Sequence, residues 1–403
     1  MNCLLTAFLL AVSMCAFAQE TPSAESRPNV TVAGRAPGKV VTHSGTWVPV
    51  TPPPGVTKFQ LFAAIGDRIW ISATDGSGLW YAPLSCTANP KWTATVLPRA
   101  LNTTELKVSP ARAFGLTPDG HVVVTFGRNT KQEKFGRYNE KQNSWDLWSN
   151  DILAHNGNQA KGFASDGKTI AMTTGLFEGA IFTSSDNGRT WQVPHAGVGT
   201  GGTFANVYNY SKTSSNGCSA KGCPNSTEGG ATWFITYDPY RNSWFTGGEG
   251  EYLEFSHDFM TLVGQWFPGP HNDPPGSYGG NSYAVAAGPN ELLFSKGLSG
   301  AGGVFRYDRK ERTTTRTLSY TNGVPQIILY APLESSGATQ VYYAQNPTRP
   351  DLMHRSTDGG RTWAVYTGDL SPGQTYGSLS IGQDGSLWAA RGGGTAPGPI
   401  CMQ

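Results

Sequence analysis

Three carboxylates in glycine- or proline-rich stretches are placed to do acid–base work: Glu178 in Phe177-Glu178-Gly179, Glu249 in Gly248-Glu249-Gly250, and Asp273 in His271-Asn272-Asp273-Pro274. Cleaving a glycosidic bond by hydrolysis needs two carboxyl groups flanking it, one protonated and one ionised. Elimination from an acidic sugar needs instead a His or Tyr base and a cation to neutralise the acid. His271 lies two positions from Asp273 and completes the catalytic candidates. Arg128, Arg349 and Arg391 supply cations, and His155, His195, Tyr208, Tyr278 and Tyr376 supply rings and hydroxyls; together they are the candidate substrate-binding residues. No metal-binding motif, calcium loop, Gly-x-Ser-x-Gly elbow or phosphate loop accompanies them. Neither a metal nor another cofactor is expected.

These groups need a scaffold, and the composition says which kind. The chain has 403 residues, with 51 Gly, 27 Pro and 11% aromatic residues, and only 14% are charged. Many turns and many aromatics favour short strands over long helices. A formal net charge of +2 gives no global field, and no Lys/Arg cluster tracks a phosphate backbone, so nucleic acid is not an expected partner. Residues 1–18 read as a signal peptide: Leu4–Phe17 is apolar but too short to span a bilayer, and Ala16-Phe17-Ala18 is a small-x-small cleavage site. A secreted, monomeric protein without membrane insertion is expected, extracellular or periplasmic according to its host.

The scaffold repeats itself. Ser184-Ser185-Asp186-Asn187-Gly188-Arg189-Thr190-Trp191 and Ser356-Thr357-Asp358-Gly359-Gly360-Arg361-Thr362-Trp363 share the pattern S-x-D-x-G-x-T-W. In each, the Asp can accept backbone N–H groups, the Gly can take a left-handed angle, and the Trp can wedge between sheets. A second phrase, strand–tight polar turn–apolar strand, recurs around Pro118-Asp119-Gly120, Ser165-Asp166-Gly167 and Gln383-Asp384-Gly385. The pattern S-x-D-x-G-x-T-W resembles the Asp box (BNR repeat) of sialidase-like β-propellers. The resemblance concerns the fold and not the sialidase site. It implies that the box joins the third and fourth strands of a blade, away from the ligand face. Asp186, Trp191, Asp358 and Trp363 are then structural.

An all-β, seven-bladed propeller follows, with six or eight blades as the alternatives. Blades are expected near 59–98, 109–150, 158–197, 231–268, 279–320, 324–368 and 377–403. Residues 19–38 read as a linker and 39–403 as one propeller, with a long insertion at 195–231. The strand-like segment 39–50 has no blade of its own and is expected to complete the last one, closing the ring. Ser226–Trp233 imitates a box, but Trp233-Phe234-Ile235-Thr236-Tyr237 reads better as an inner strand; a degraded box is then expected at Ser256-His257-Asp258. Of the four cysteines beyond the leader, Cys218 and Cys223 suit a local pair. Cys86 and Cys401 either latch the first blade to the last or stay as buried thiols. Asn29, Asn102, Asn209 and Asn225 head glycosylation sequons.

In this register the candidates fall in loops joining strand two to three, or one blade to the next. Those loops differ in length and content, as a single asymmetric site requires. The expected function is a secreted carbohydrate-active enzyme, glycoside hydrolase or polysaccharide lyase, acting on an extracellular glycan. A non-catalytic propeller binding glycan or protein, and a small-molecule enzyme of an exported pathway, are the alternatives.

Overall fold

The computed structural model describes residues 43, 46–56, 59–73, 78–97, 111–126, 134–149, 159–175, 180–191, 232–248, 252–259, 262–266, 281–298, 301–320, 325, 327–349, 351–366, 375–392 and 398–402. All belong to one compact unit, Ala36–Gln403. The expected signal peptide and linker, the insertion with Cys218 and Cys223, and the sequons at Asn29, Asn102, Asn209 and Asn225 lie outside the described residues.

Within the described residues every regular element is a strand, and the strands form seven antiparallel sheets. From the axis outward, blade one is Phe59–Ile65, Arg68–Ala73, Leu79–Pro83 and Thr93–Ala94; blade two is Ala111–Leu116, Val122–Phe126, Lys134–Asn139 and Ser144–Ser149. Blade three is Gln159–Ser165, Ile170–Gly175 and Ala180–Ser184; blade four is Thr232–Asp238, Ser243–Gly248, Tyr252–Ser256 and Leu262–Trp266. Blade five is Asn281–Ala287, Glu291–Leu298, Ala301–Asp308 and Thr313–Tyr320; blade six is Ile328–Tyr330, Tyr342–Gln345, Met353–Ser356 and Ala364–Tyr366. Blade seven is Thr375–Ile381, Leu387–Gly392 and Gly398–Met402, completed on its outer edge by Val48–Pro49. First strands pack on first strands from blade to blade, and blade seven packs on blade one, so the ring closes at seven.

Each blade is covered on both faces by its neighbours, so its second strand can be apolar on both faces. Ile69-Trp70-Ile71, Val123-Val124, Ile170-Ala171-Met172, Leu292-Leu293-Phe294, Tyr342-Tyr343-Ala344 and Leu387-Trp388-Ala389 are almost completely buried. The N-terminal strand closes the ring as the sequence suggests: Val48 pairs with Cys401 and Pro49 with Ile400, antiparallel. A disulfide joins Cys86 of blade one to Cys401 of blade seven, with the Cα atoms 5.5 Å apart. The free-thiol alternative for these two residues is set aside.

The two Ser-x-Asp turns are built alike. Asp186 Oδ1 accepts from the Arg189 and Thr190 amides at 3.1 and 2.9 Å, and Oδ2 accepts from Thr190 Oγ1 at 2.6 Å. Asp358 Oδ1 accepts from the Arg361 and Thr362 amides at 3.0 and 2.9 Å, and Oδ2 accepts from Thr362 Oγ1 at 2.7 Å. Ser184 and Ser356 each donate to the Asp and accept from the glycine amide four residues on. Gly188 and Gly360 have φ of 78° and 74°. Each also presses on the second strand of the preceding blade: a β-carbon would lie 2.8 Å from Val123 Cγ1 at Gly188 and 2.6 Å from Leu293 Cδ2 at Gly360. The indoles follow suit. Trp191 packs on Phe135 of blade two at 5.3 Å, and Trp363 donates to Thr317 of blade five at 3.2 Å.

The imitation box resolves as expected, since Trp233 lies inside the first strand of blade four. The degraded turn keeps only part of the pattern. Ser256 donates to Asp258 at 2.6 Å, and Phe259 takes the positive φ of 60°. Phe259 then stacks on Trp244 at 4.9 Å, filling the wedge position with a phenyl ring.

A polar seam runs round this end of the ring. The turn between strands one and two of a blade meets the turn between strands three and four of the next. Arg68 pairs with Glu140 at 2.8 Å, Asp166 with His257 at 2.6 Å, and Asp238 with Arg309 at 2.8 Å. Where the well-formed turns sit, an arginine from the preceding blade holds them: Arg137 donates to Asn187 O at 2.9 Å and Arg306 to Gly359 O at 2.8 Å. At the junction of blades six and seven, His43 just upstream of the closing strand takes this place. Its Nδ1 lies 3.0 Å from Glu334 and its Nε2 lies 2.8 Å from Gly385 O.

Two outcomes test this construction. Burial alone would raise Asp186 and Asp358, but the hydrogen bonds from Thr190 and Thr362 outweigh it and hold both below the ordinary 3.8. A carboxylate depressed in the folded state stabilises it above its unfolded pKa and loses that effect as pH falls through the folded value. Denaturant unfolding should therefore show stability falling as pH drops below about 4, with a shallower fall in Asp186→Asn/Asp358→Asn. The Cys86→Ser/Cys401→Ser chain should lose about 2–5 kcal/mol in the same measurement. An unchanged midpoint would show that strand exchange alone closes the ring.

Candidate functional site

The end opposite the seam is built by the connections from strand two to strand three and from each blade to the next. The expected catalytic residues Glu178, Glu249, Asp273 and His271 lie in those connections and outside the described residues, as do Arg128, His155, His195, Tyr208 and Tyr278. Three binding candidates are described. Arg349 is in the expected connection of blade six, exposed and paired with Asp351 at 2.8 Å.

Tyr376 is a correction. It is not in an inter-blade loop but is the second residue of blade seven's first strand, 1% exposed. Its hydroxyl accepts from Trp47 Nε1 at 2.9 Å and its ring packs on that indole at 5.6 Å. Blades six and seven need a large amphipathic side chain at their junction, and the tyrosine fills that place instead of facing a ligand. Arg391 is a second correction: expected in the loop after strand two of blade seven, it lies inside that strand, paired with Tyr376. It is half-buried, burial lowers its pKa, and its Nε has no hydrogen-bond partner among the described residues.

The strand register shows a feature that the sequence reading missed. Six of the seven first strands carry an irregularity near their start, at the end opposite the seam. Phe59 and Leu61 pair with the adjacent Ala73 and Ser72, leaving Gln60 extra. Arg112, Lys161, Trp233 and Tyr283 are left over in the same way in blades two to five. In blade seven, Gly377 and Ser378 together face Ala390. The second strand places a small hydroxyl residue beside or next to the bulge in five blades: Ser72, Thr125, Thr173, Thr246 and Ser295. Thr246 shows its use, donating to the bulge carbonyl of Phe234 at 2.7 Å.

A bulge bends its strand and re-aims a side chain, and bulges gather beside functional sites. The extra residues form a collar where the innermost strands enter the ring. Among the described residues no three His, Cys, Asp or Glu side chains gather as a metal ion would require.

No protein-family model matches the chain, and no curated protein matches it. Solved structures do. A chain of the Mitotic Checkpoint Complex is similar with TM-score 0.53 and 9% identity over 96% of both chains. The extracellular domain of a hybrid two component system from B. thetaiotaomicron is similar with TM-score 0.56 and 10% identity over 88% of this chain. This chain spans 39% of that one. At such identities the likeness is one of fold, a β-propeller.

Tyr376→Phe removes the acceptor from a buried indole N–H. It should cost about 1–3 kcal/mol in denaturant unfolding. A wild-type midpoint would show that this hydrogen bond adds nothing measurable to the junction of blades six and seven.

Proposed function

We propose that the chain is an exported Asp-box propeller of the sialidase-like superfamily, and a carbohydrate-active enzyme working as a glycoside hydrolase or polysaccharide lyase. The two S-x-D-x-G-x-T-W turns support the Asp-box assignment, because their hydrogen bonds repeat atom for atom. One observation carries the functional reading. The collar is unlike itself round the ring, with Gln60, Arg112, Lys161, Trp233 and Tyr283 on successive blades. A lectin repeating one subsite per blade would carry similar residues at equivalent positions. A single asymmetric ligand needs dissimilar ones.

The carboxylates of the seam support the same division of labour. Asp186, Asp238, Asp358 and Glu334 are engaged in structural bonds at the far end. Acid–base chemistry at the collar therefore falls to the loop groups Glu178, Glu249, Asp273 and His271. A hydrolase would use two of the carboxyls. A lyase would use His271 as base with an arginine, Arg128 or Arg391, against the acid group of the sugar.

The test is an assay for reducing ends and unsaturated products against a polysaccharide panel, with Glu178→Gln, Glu249→Gln, Asp273→Asn and His271→Ala. Loss of about two orders of magnitude or more in kcat in at least one variant, without a change in thermal midpoint, is expected for a proton-transfer residue. Saturable glycan binding with no turnover in the wild type would make the protein a binding module instead.

A further inference from the structure

We propose that the Cys86–Cys401 disulfide is a redox clasp: a dithiol reductant opens the ring at the junction of blades seven and one, and reoxidation shuts it. The seam shows why this junction differs. At each of the other six a polar contact crosses from blade to blade. The pairs Arg68–Glu140, Asp166–His257 and Asp238–Arg309 do so at three of them. At the rest, the Asp119 amide donates to Asn187 Oδ1 at 3.2 Å, Arg306 donates to Gly359 O at 2.8 Å, and His43 joins Glu334 to Gly385 O. Where the first turn of blade seven meets the last turn of blade one, the described residues show an apolar contact instead. A β-carbon at Gly382 would lie 2.9 Å from Leu84 Cδ2. Just after Leu84 in the chain, Cys86 sends the disulfide across to Cys401. Six contacts are indifferent to a reductant, and the seventh is a bond that a reductant removes.

Cys401 is completely buried, whereas Cys86 is only partly covered. A thiolate of the reductant therefore attacks Cys86 Sγ, the S–S bond breaks, and Cys401 leaves as a thiolate. The second thiol of the reductant attacks the mixed disulfide and releases Cys86. Two electrons pass from the dithiol, which ends as a disulfide, and its two protons end on the cysteine thiols. What remains at the junction is the apolar layer round Phe62 and Trp388, the contact of Ser380 Oγ with the Ala64 backbone, and the borrowed strand. That strand spans the junction. Thr51 is bound to blade one through Ala88 O, Asn89 Oδ1 and Trp92 Nε1, while Val48 and Pro49 pair with blade seven. Val48 pairs with Cys401 itself, so the broken bond frees the residue on which the borrowed strand is seated. The effect reaches the bulged end, because Trp47 of the same segment donates to Tyr376, the residue before the Gly377-Ser378 bulge. In an oxidising compartment the clasp is shut. Reduced, it loosens one sector of the collar and leaves six junctions in place.

Hydrogen–deuterium exchange of the full chain under native conditions tests the clasp, with dithiothreitol as the dithiol. Cys218→Ser/Cys223→Ser serves as background, so that Cys86–Cys401 is the bond under test. The wild-type chain, run in parallel with mass mapping of the reduced cysteines, keeps the test independent of that background. On reduction, amides of 46–50, Leu387–Gly392 and Gly398–Met402 should exchange at least about tenfold faster. Those of Ile170–Gly175, Ser243–Gly248 and Glu291–Leu298 should keep their rates. Removing dithiothreitol and adding oxidised glutathione should restore the slow pattern. Cys86→Ser should show the fast pattern with or without reductant. Equal acceleration in all seven blades would make the disulfide a global brace and overturn the proposal. Unchanged exchange with the bond reduced would overturn it too, and so would a bond that dithiothreitol reduces only after the chain has unfolded.

Discussion

A sheet of four short strands has two faces to cover and cannot cover either with its own side chains. In this chain the neighbouring blades cover them, so no blade can persist without the ring. Radial packing is therefore the constraint from which the rest follows. It explains the doubly buried second strands, and also why polar contacts concentrate at the ends, where the apolar layers run out. At one end they form a seam in which a blade's first turn grips the next blade's last turn, as between blades one and two, three and four, and four and five. Asp238 and Arg309 show the cost of this arrangement. Burial pushes the Asp238 carboxyl up although the guanidinium opposes it, so the pair holds only because both partners are present.

The seam also explains how a repeat tolerates decay. Where the Ser-x-Asp turn is intact, its own carboxylate closes the hairpin and an arginine of the preceding blade binds it from outside. Blade four has Phe259 where the intact turns have Asn187 and Gly359, at the same positive φ, and stacks it on Trp244. Blade seven has a strand borrowed from the N-terminus in place of its outer hairpin arm, and His43 enters the place such a turn would fill. Glu334 accepts from Tyr343 and pairs with Arg355 and His43. Burial would raise the Glu334 carboxyl, but those partners hold it below its ordinary range. The same job is done by three different sets of atoms, and what persists is the geometry of one turn seated on another.

Much of this was legible in the sequence. Blade positions, the two intact turns, the false third turn and the borrowed strand all follow from local patterns: Asp-Gly bends, apolar runs, and the eight-residue repeat. Hairpins are local, so their signals are too. The collar was not legible, because a single extra residue in a six- or seven-residue strand changes the register without changing the composition. Arg112 and Lys161 look like ordinary polar residues at the start of strands. Tyr376 was misjudged for a related reason. The last blade was expected to begin at 377, whereas its first strand begins at Thr375, holds Gly377-Ser378 as a bulge, and bonds the tyrosine to Trp47.

The division between the two ends limits where chemistry can happen. A carboxylate in the seam is committed: replacing its hydrogen bonds by substrate contacts would loosen a blade junction. At the bulged end the one irregularity with a side-chain partner on view is satisfied within its own blade, Thr246 donating to the Phe234 carbonyl. Blade six is the exception in the collar. Its first strand is only Ile328–Tyr330 and pairs without an irregularity. Six bulges and one plain strand make an incomplete circle among the described residues.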